Sequence, residues 1–183
     1  MNKKLIITLL AGLLPTLASA HNLKVGQVLP SVDIADKGEI LLTQDKITYQ
    51  AWTTAQLEGK VRVIQAIAGR SAAKAMNAPM IDAIKAANLP ADKYQTTTII
   101  NQDDAIWGTG GFVKSSAEDS KREFAWSSMV LDANGDVQQA WDLKPENSMI
   151  ALLDTKGTVL FVQEGQLSAQ EIQQVMDLIN NNL

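Results

Sequence analysis

The chain has no cysteine. That excludes disulfides, thiolate nucleophiles and covalent haem attachment. Histidine is nearly absent too: His21 is the single one. Its ring, together with a free amine if it begins the mature chain, could touch copper, but no second histidine exists to complete the site. Basic residues are outnumbered, with 16 Lys and Arg against 20 Asp and Glu and a net charge of −4. An acidic balance argues against nucleic acid and anionic membrane as partners. Beyond residue 20 no apolar run approaches the length of a membrane span. No linker or low-complexity stretch divides the chain.

What is present begins with a leader. Lys3 and Lys4 precede the apolar run Leu5 to Leu14, and Ala18-Ser19-Ala20 follows. This order reads as a secretory signal peptide over residues 1–20, with a mature domain over 21–183 and export to the periplasm. Removing it takes two lysines and no acid, so the mature net charge becomes −6. A domain of this length closes one core.

The mature chain alternates strands and helices. Asp33 to Ile40 reads as a hairpin with Lys37-Gly38 at its tip, and Asp45 to Leu57 as irregular with a short helix. Val61 to Ile67 is β-branched and apolar, the pattern of a central strand covered on both faces. A helix follows from Ala72 to Ala87, with Met76, Met80 and Ile84 as its buried stripe and Pro79 inside it. Tyr94 to Asn101 is the next strand. A glycine-rich loop, Trp107 to Phe112, leads to a polar helix over Ser115 to Glu123. Ser127 to Leu131 is a third strand, and Val137 to Leu143 a short element holding Trp141. Met149 to Leu153 and Thr158 to Gln163 form a hairpin. The last helix opens on the capping box Ser168-Ala169-Gln170-Glu171, with Ile172, Val175, Met176 and Ile179 facing the core. This order gives an α/β domain with a mixed central sheet flanked by helices.

These elements resemble the thioredoxin-like superfamily in its peroxiredoxin and thiol-oxidoreductase branch. Gly26 and Pro30 match the entry motif, and Leu57-Glu58-Gly59-Lys60-Val61 matches the lead into the central strand. Asp132-Ala133-Asn134-Gly135 and Asp154-Thr155-Lys156-Gly157 match the two D-x-x-G strand exits. The whole chain, with Ile67-Ala68-Gly69-Arg70-Ser71 at its centre, resembles more closely the YtfJ family of small exported proteins. In the register implied by Pro79, the two redox-cysteine positions fall on Ser71 and Lys74. Counting back from Asp154, the proline position of the superfamily falls on Ser148, with Pro145 three residues earlier. Disulfide exchange requires a thiolate, so neither serine nor lysine can perform it.

Three other chemistries compete for these residues. Ser71-Ala72-Ala73-Lys74 has the spacing of a serine–lysine acyl-transfer pair, which needs a buried lysine. Its companion motifs are absent. Gly69-Arg70-Ser71-Ala72-Ala73 looks like a nucleophile elbow, yet His21 precedes the serine rather than following it. Gly108 to Ser115 lacks the glycine that a phosphate loop needs before its lysine, because Val113 stands there. The simpler alternative makes Ser71 a helix N-cap and Lys74 a solvated side chain.

The expected function is therefore binding without thiol redox chemistry or a cofactor. Gly69, Arg70, Ser71 and Lys74 lie at a helix start that favours an anion. Ser148 lies nearby in the implied register. Asp103 and Asp104, with Asn101, close a strand where open sheets bind ligands; their oxygens could suit Ca²⁺ or Mg²⁺, but such a cluster is more often a capped turn in water, and no metal is expected. Arg70 either receives an anion or pairs with an acid. Trp107 and Phe112 either meet a partner or cover the sheet edge. The expected partner is a small anionic ligand, a peptide or an envelope protein.

Overall fold

The computed structural model describes residues 21–183; the signal-peptide assignment lies outside them. The first strand, β1 (Asp33–Thr43), is longer than the sequence suggests and joins β2 (Lys46–Thr53). Lys37-Gly38 is not a hairpin tip. Both residues have positive φ, 67° and 75°, where the register shifts between Ile34 and Glu39. They bend one continuous strand, as a β-bulge does. Gly38 has no alternative: a Cβ there would lie 2.2 Å from the Gln50 carbonyl oxygen. The tip is Gln44-Asp45, two residues of positive φ, the backbone of a tight primed turn. A 3₁₀ turn at Thr54–Leu57 ends the segment expected to be irregular.

The centre matches the sequence closely. Strand β3 (Val61–Ala68) runs parallel to β4 (Tyr94–Asn101), and β4 parallel to β5 (Ser128–Asp132). Between them lie α1 (Ser71–Ala87) and α2 (Gly110–Glu123). Helix α2 starts earlier than expected, because Gly110 and Gly111 belong to its first turn rather than to a loop. After β5 comes α3 (Asp136–Trp141), then the antiparallel pair β6 (Ser148–Leu153) and β7 (Val159–Glu164), and finally α4 (Ala169–Asn182). The Ser168–Glu171 capping box is formed.

The strands make one mixed sheet in the order β2-β1-β5-β4-β3-β6-β7. Alternate residues of β3 feed opposite cores. Val61 and Val63 pack with Met80 and Ile84 of α1 and Val175 and Ile179 of α4. Ile64 and Ala66 pack with Val137 and Trp141 of α3 and with Leu23, Leu29 and Val32 of the N-terminal segment. Trp141 is fully buried and donates its indole N–H to the Pro30 carbonyl at 3.0 Å. That bond, together with the Asn22 N–H donating to the Trp141 carbonyl at 3.1 Å, fastens the entry segment to α3, as a buried indole must find an acceptor.

Candidate functional site

The parallel strands β3, β4 and β5 end on one side of the sheet, and antiparallel β6 begins there. Four connections therefore converge: the Gly69-Arg70 turn, the loop after Asn101, the loop after Asp132 and the turn before Ser148. Gly69 is tightly enclosed, and a Cβ on it would lie 2.8 Å from the Asn101 carbonyl oxygen and 3.2 Å from the Ala105 Cβ. Glycine is needed here for space, not for backbone freedom.

Arg70 is the hinge pin of this end. Its Nε donates to the Asp104 carbonyl at 3.0 Å and to Asp104 Oδ1 at 3.3 Å, and Nη2 lies 3.2 Å from that same Oδ1. Nη2 also lies 3.1 Å from Glu146 Oε1. The other Asp104 oxygen accepts the Glu146 backbone N–H. Asp104 is anchored in turn, its N–H donating to Asn101 Oδ1 at 3.1 Å. So three connections are tied through one guanidinium, a geometry suited to arginine's planar fork. Of the two fates open to Arg70 from sequence, pairing with an acid is the one the structure shows. Its Nε and Nη2 are engaged, and an incoming anion would face two carboxylates.

Ser71 is not the N-cap of α1. Arg70 occupies that position with extended backbone, and no side chain caps the helix. Ser71 and Lys74 are both solvent-exposed. The burial that would make Lys74 a base is absent. Asp103 is exposed while Asp104 is engaged, and Asn101 donates its Nδ2 to Gln138 Oε1 at 2.9 Å. Asn101 and Asp104 are thus engaged within this end of the sheet, whereas the Asp103 carboxylate faces solvent. Among the described residues no group of three or more acidic or histidine side chains could hold a metal ion.

Ser148 has a role that its sequence position did not reveal. It begins β6 opposite Ile67, is 2 % exposed, and its hydroxyl donates to Asn77 Oδ1 at 2.9 Å. Pro145 stays in the preceding turn, where Glu146 has φ 60°. Asn77 is the residue sequence reasoning missed. The buried row of α1 is Ala73, Asn77, Met80 and Ile84, with Met76 only half-buried. The i, i+4 spacing from Ala73 to Asn77 was available as a signal, but an asparagine is ordinarily assigned to solvent. Asn77 Nδ2 approaches Gln65 Oε1 at 3.5 Å, and Gln65 Nε2 donates to Thr98 Oγ1 at 2.7 Å. A polar chain therefore runs from β6 through α1 to β3 and β4.

A second buried polar group sits at the opposite ends of the strands. Arg62 is 5 % exposed, and its guanidinium donates to Gln95, Thr97 and the carbonyls of Leu57 and Gln56. Burial holds its pKa below the ordinary value, opposed by the charge of Glu39. It satisfies carbonyls at the end of the 3₁₀ turn, which otherwise lack donors.

On the face opposite α1, a narrow cleft is lined by residues including Asn101, Asp132, Gln138, Lys144 and Ser148. Its volume of about 20 Å³ has room for one water rather than a substrate. Asp132 is fully buried there and accepts the N–H groups of Asp136 and Val137, each at 2.9 Å. Burial raises its pKa above the ordinary aspartate value despite those donors.

Three exposed apolar residues also lie near this end, apart from Val25, Val28 and Trp126. Trp107 is 97 % exposed, Phe112 78 % and Ile106 57 %. They do not cover the sheet edge. Their loop is held in shape by Gln102 Nε2 donating to the Gly110 carbonyl at 2.7 Å and by Thr109 Oγ1 donating to the Ile106 carbonyl at 2.6 Å.

Comparison with known proteins identifies the family and the fold. Residues 23–182 match the family described as "Bacterial protein of unknown function (YtfJ_HI0045)". The chain belongs to the YtfJ family. It is 49 % identical over 183 residues to the uncharacterized protein YtfJ of Escherichia coli (strain K12), covering all of both chains. An uncharacterized protein of Haemophilus influenzae is 49 % identical over 179 residues, 97 % of each chain. Among solved structures, a DsbF homologue from Corynebacterium diphtheriae aligns with a TM-score of 0.56 at 15 % identity, covering 91 % of this chain and 97 % of that one. The thioredoxin domain of a thiol-disulfide oxidoreductase from Bacteroides vulgatus aligns with a TM-score of 0.54 at 14 % identity, covering 87 % and 100 %. The fold is thioredoxin-like. A cysteine-free chain carries it.

Proposed function

We propose that this YtfJ-family protein is a periplasmic interaction module. It has no thiol redox activity of its own and engages a peptide or envelope protein with the end of the sheet where β3 and β4 terminate. The observation that carries this reading is the exposure of Ile106 and Trp107 on the loop after β4, whose Ala105 lies beside Gly69, and of Phe112 in the first turn of α2. Large apolar side chains held out by an ordered loop are what interaction sites present. Gly69, Arg70, Ser71, Lys74, Ser148, Asp103 and Asp104 belong to this end in two ways. Arg70, Asp104 and Ser148 organise it, while Ser71, Lys74 and Asp103 are available at its surface. A small anion remains the alternative ligand for the start of α1, though Arg70 is already engaged by carboxylates. A Ser71–Lys74 acyl-transfer enzyme is the weaker alternative, since exposed Lys74 has no burial to activate it.

Photo-crosslinking in intact cells tests the proposal. A photoreactive residue at position 107 should give a discrete adduct, and one at position 181 on α4 should not. Adducts at 181 with none at 107 would refute it. Release of the protein by osmotic shock should accompany this, and retention in spheroplasts would overturn the periplasmic assignment.

A further inference from the structure

Independently of the interaction reading above, we infer that a second copy of this chain pairs with the open edge of the sheet, β2 against β2, with Tyr49 on the two-fold axis. Strand β2 ends the seven-stranded order and has one neighbour, β1. The two-residue turn Gln44-Asp45 decides which of its backbone groups that neighbour uses. Thr43 and Lys46 close the turn as a hydrogen-bonded pair, and bonded pairs then alternate through Leu41–Thr48 and Glu39–Gln50. The N–H and C=O groups of Ile47, Tyr49 and Ala51 therefore point away from β1. Among the described residues no group outside the hairpin bonds them. Thr53, next in that row, is closed: its N–H donates to Gln56 Oε1 at 2.8 Å. At its other end the row stops at the turn.

This row identifies its occupant. Three residues at a spacing of two, closed at both ends, are symmetric about the middle one. When two copies pair antiparallel, Tyr49 meets Tyr49, and Ile47 of each copy meets Ala51 of the other. That register satisfies all the open groups; a slip by two residues leaves some unmet or calls on Thr53, and a slip by one puts opposed side chains on opposite faces. The side chains agree. Ile47 and Tyr49 pack on the α2 side of the sheet, so apolar rows meet, with large Ile47 beside small Ala51. The Tyr49 ring is held by its hydroxyl donating to Glu118 Oε1 at 2.7 Å. The ammonium groups over that ring, Lys37 and Lys114, are paired with Asp36 and Glu118. Lys46, the one charge within β2, falls opposite Trp52, so no like charges oppose each other along the seam. No proline, and no charge after Lys46, guards this edge. A free peptide could bond the same groups, but it would lose conformational entropy that a second, preformed β2 does not. The far edge, β7, is less open, because Val159 exchanges bonds with Gly26 and Gln27. Pairing therefore closes at two copies rather than growing into a filament. So narrow a seam falls short of the about 800 Å² per partner of a standard interface, which makes the dimer weak and concentration-dependent.

A chain without cysteine gives a clean test of register. Thr48 and Gln50 are exposed. Across the seam Thr48 of one copy lies opposite Gln50 of the other, about 4.5 Å apart at Cα, whereas each lies roughly 7–8 Å from its own counterpart. A disulfide needs about 4.4–6.8 Å. Under mild oxidation a mixture of Thr48→Cys and Gln50→Cys should therefore cross-link at least about three-fold faster than either variant alone. In the purified parent protein, sedimentation equilibrium should show monomer and dimer, and hydrogen exchange at the Ile47, Tyr49 and Ala51 amides should slow as concentration rises. Ala51→Lys changes two cross-strand pairs at an exposed position and should weaken the dimer about five-fold. A protein that stays monomeric up to about 1 mM overturns the inference. So does a dimer in which those three amides exchange at a rate independent of concentration, or one that Ala51→Lys leaves unweakened. Either cysteine variant alone cross-linking as fast as the mixture overturns the pairing centred on Tyr49. Amides protected equally at every concentration give the edge to a segment of the same chain and overturn it as well.

Discussion

Replacing Asn77 by alanine tests whether the buried polar chain fastens α1 to the sheet. Asn77 is 1 % exposed and Ser148 2 % exposed. In Asn77→Ala the Ser148 hydroxyl loses its acceptor at 2.9 Å while the residue stays nearly fully buried. An unsatisfied buried donor costs about 1–3 kcal/mol. Alanine returns roughly 0.6 kcal/mol of helix propensity. The contact to Gln65, at 3.5 Å, is at the limit of a hydrogen bond and adds little. The net expectation is a loss of about 0.5–2.5 kcal/mol, which for a domain of this size lowers Tm by roughly 1–10 °C. Ser148→Ala should cost about 1 kcal/mol, because it strands the Asn77 oxygen instead. The double variant decides the matter. With both partners gone neither group is stranded, so the combined loss should fall short of the sum by at least about 1 kcal/mol. Urea denaturation of the four proteins measures it, provided the m-values stay equal. Additivity within about 0.5 kcal/mol would refute the argument that these residues act as a pair.

The same logic applied to Arg70→Ala and Asp104→Ala predicts coupling of about 1–2 kcal/mol, since the Asp104 side chain is only 9 % exposed, whereas Glu146→Ala should cost under about 0.5 kcal/mol. A double-mutant cycle in urea checks both figures. Gly38→Ala should destabilise by roughly 3 kcal/mol, because a Cβ meets the Gln50 carbonyl and φ is +75°; a thermal melt within 1–2 °C of the parent would contradict it. Asp132 makes a prediction about pH. Its folded pKa is raised by burial, so its stabilising contribution is complete below the unfolded value near 3.9 and is lost as pH rises through the folded value. Asp132→Asn removes that dependence, so its stability relative to the parent should improve from pH 4 to pH 7. Urea melts at both pH values test this, and a constant difference would rule it out.

Periodicity and β-branched content made the central elements readable: β4 spans the predicted residues, and β3 differs by one. The departures have local causes. The β1–β2 hairpin was misplaced because a lysine–glycine pair can make either a tip or a bulge, and only pairing with β5 shows which. Helix α2 was shortened because two glycines ordinarily signal a loop; here they are simply its first turn. The site was readable as a place but not as a set of bonds. Arg70 near Asp104 could be listed from sequence, yet Glu146, 76 residues from Arg70 along the chain, arrives only through the α3–β6 connection. Asn77 and Arg62 were invisible for a different reason. Polar residues are assigned to water unless partners are known, and their partners come from four elements: β6, β3, β4 and the 3₁₀ turn.

That pattern bears on how this chain keeps its fold without the usual chemistry. The segment that reads as a binding motif, Gly69 to Lys74, is mostly committed to holding the end of the sheet together. Gly69 gives the space, Arg70 ties three connections, and Ser148 with Asn77 anchors the helix that follows. None of these groups can be offered to a ligand without loosening the others. Ser71 and Lys74 remain at the surface, together with Asp103 and the aromatic loop. Under the proposed reading, recognition would fall to the loop before α2 rather than to the turn that begins α1. A variant of Trp107 should spare stability, since a side chain 97 % exposed buries almost nothing in the fold. A variant of Arg70 should damage both stability and any binding. Separating those two outcomes in one urea and crosslinking comparison distinguishes a contact surface from the scaffold that carries it.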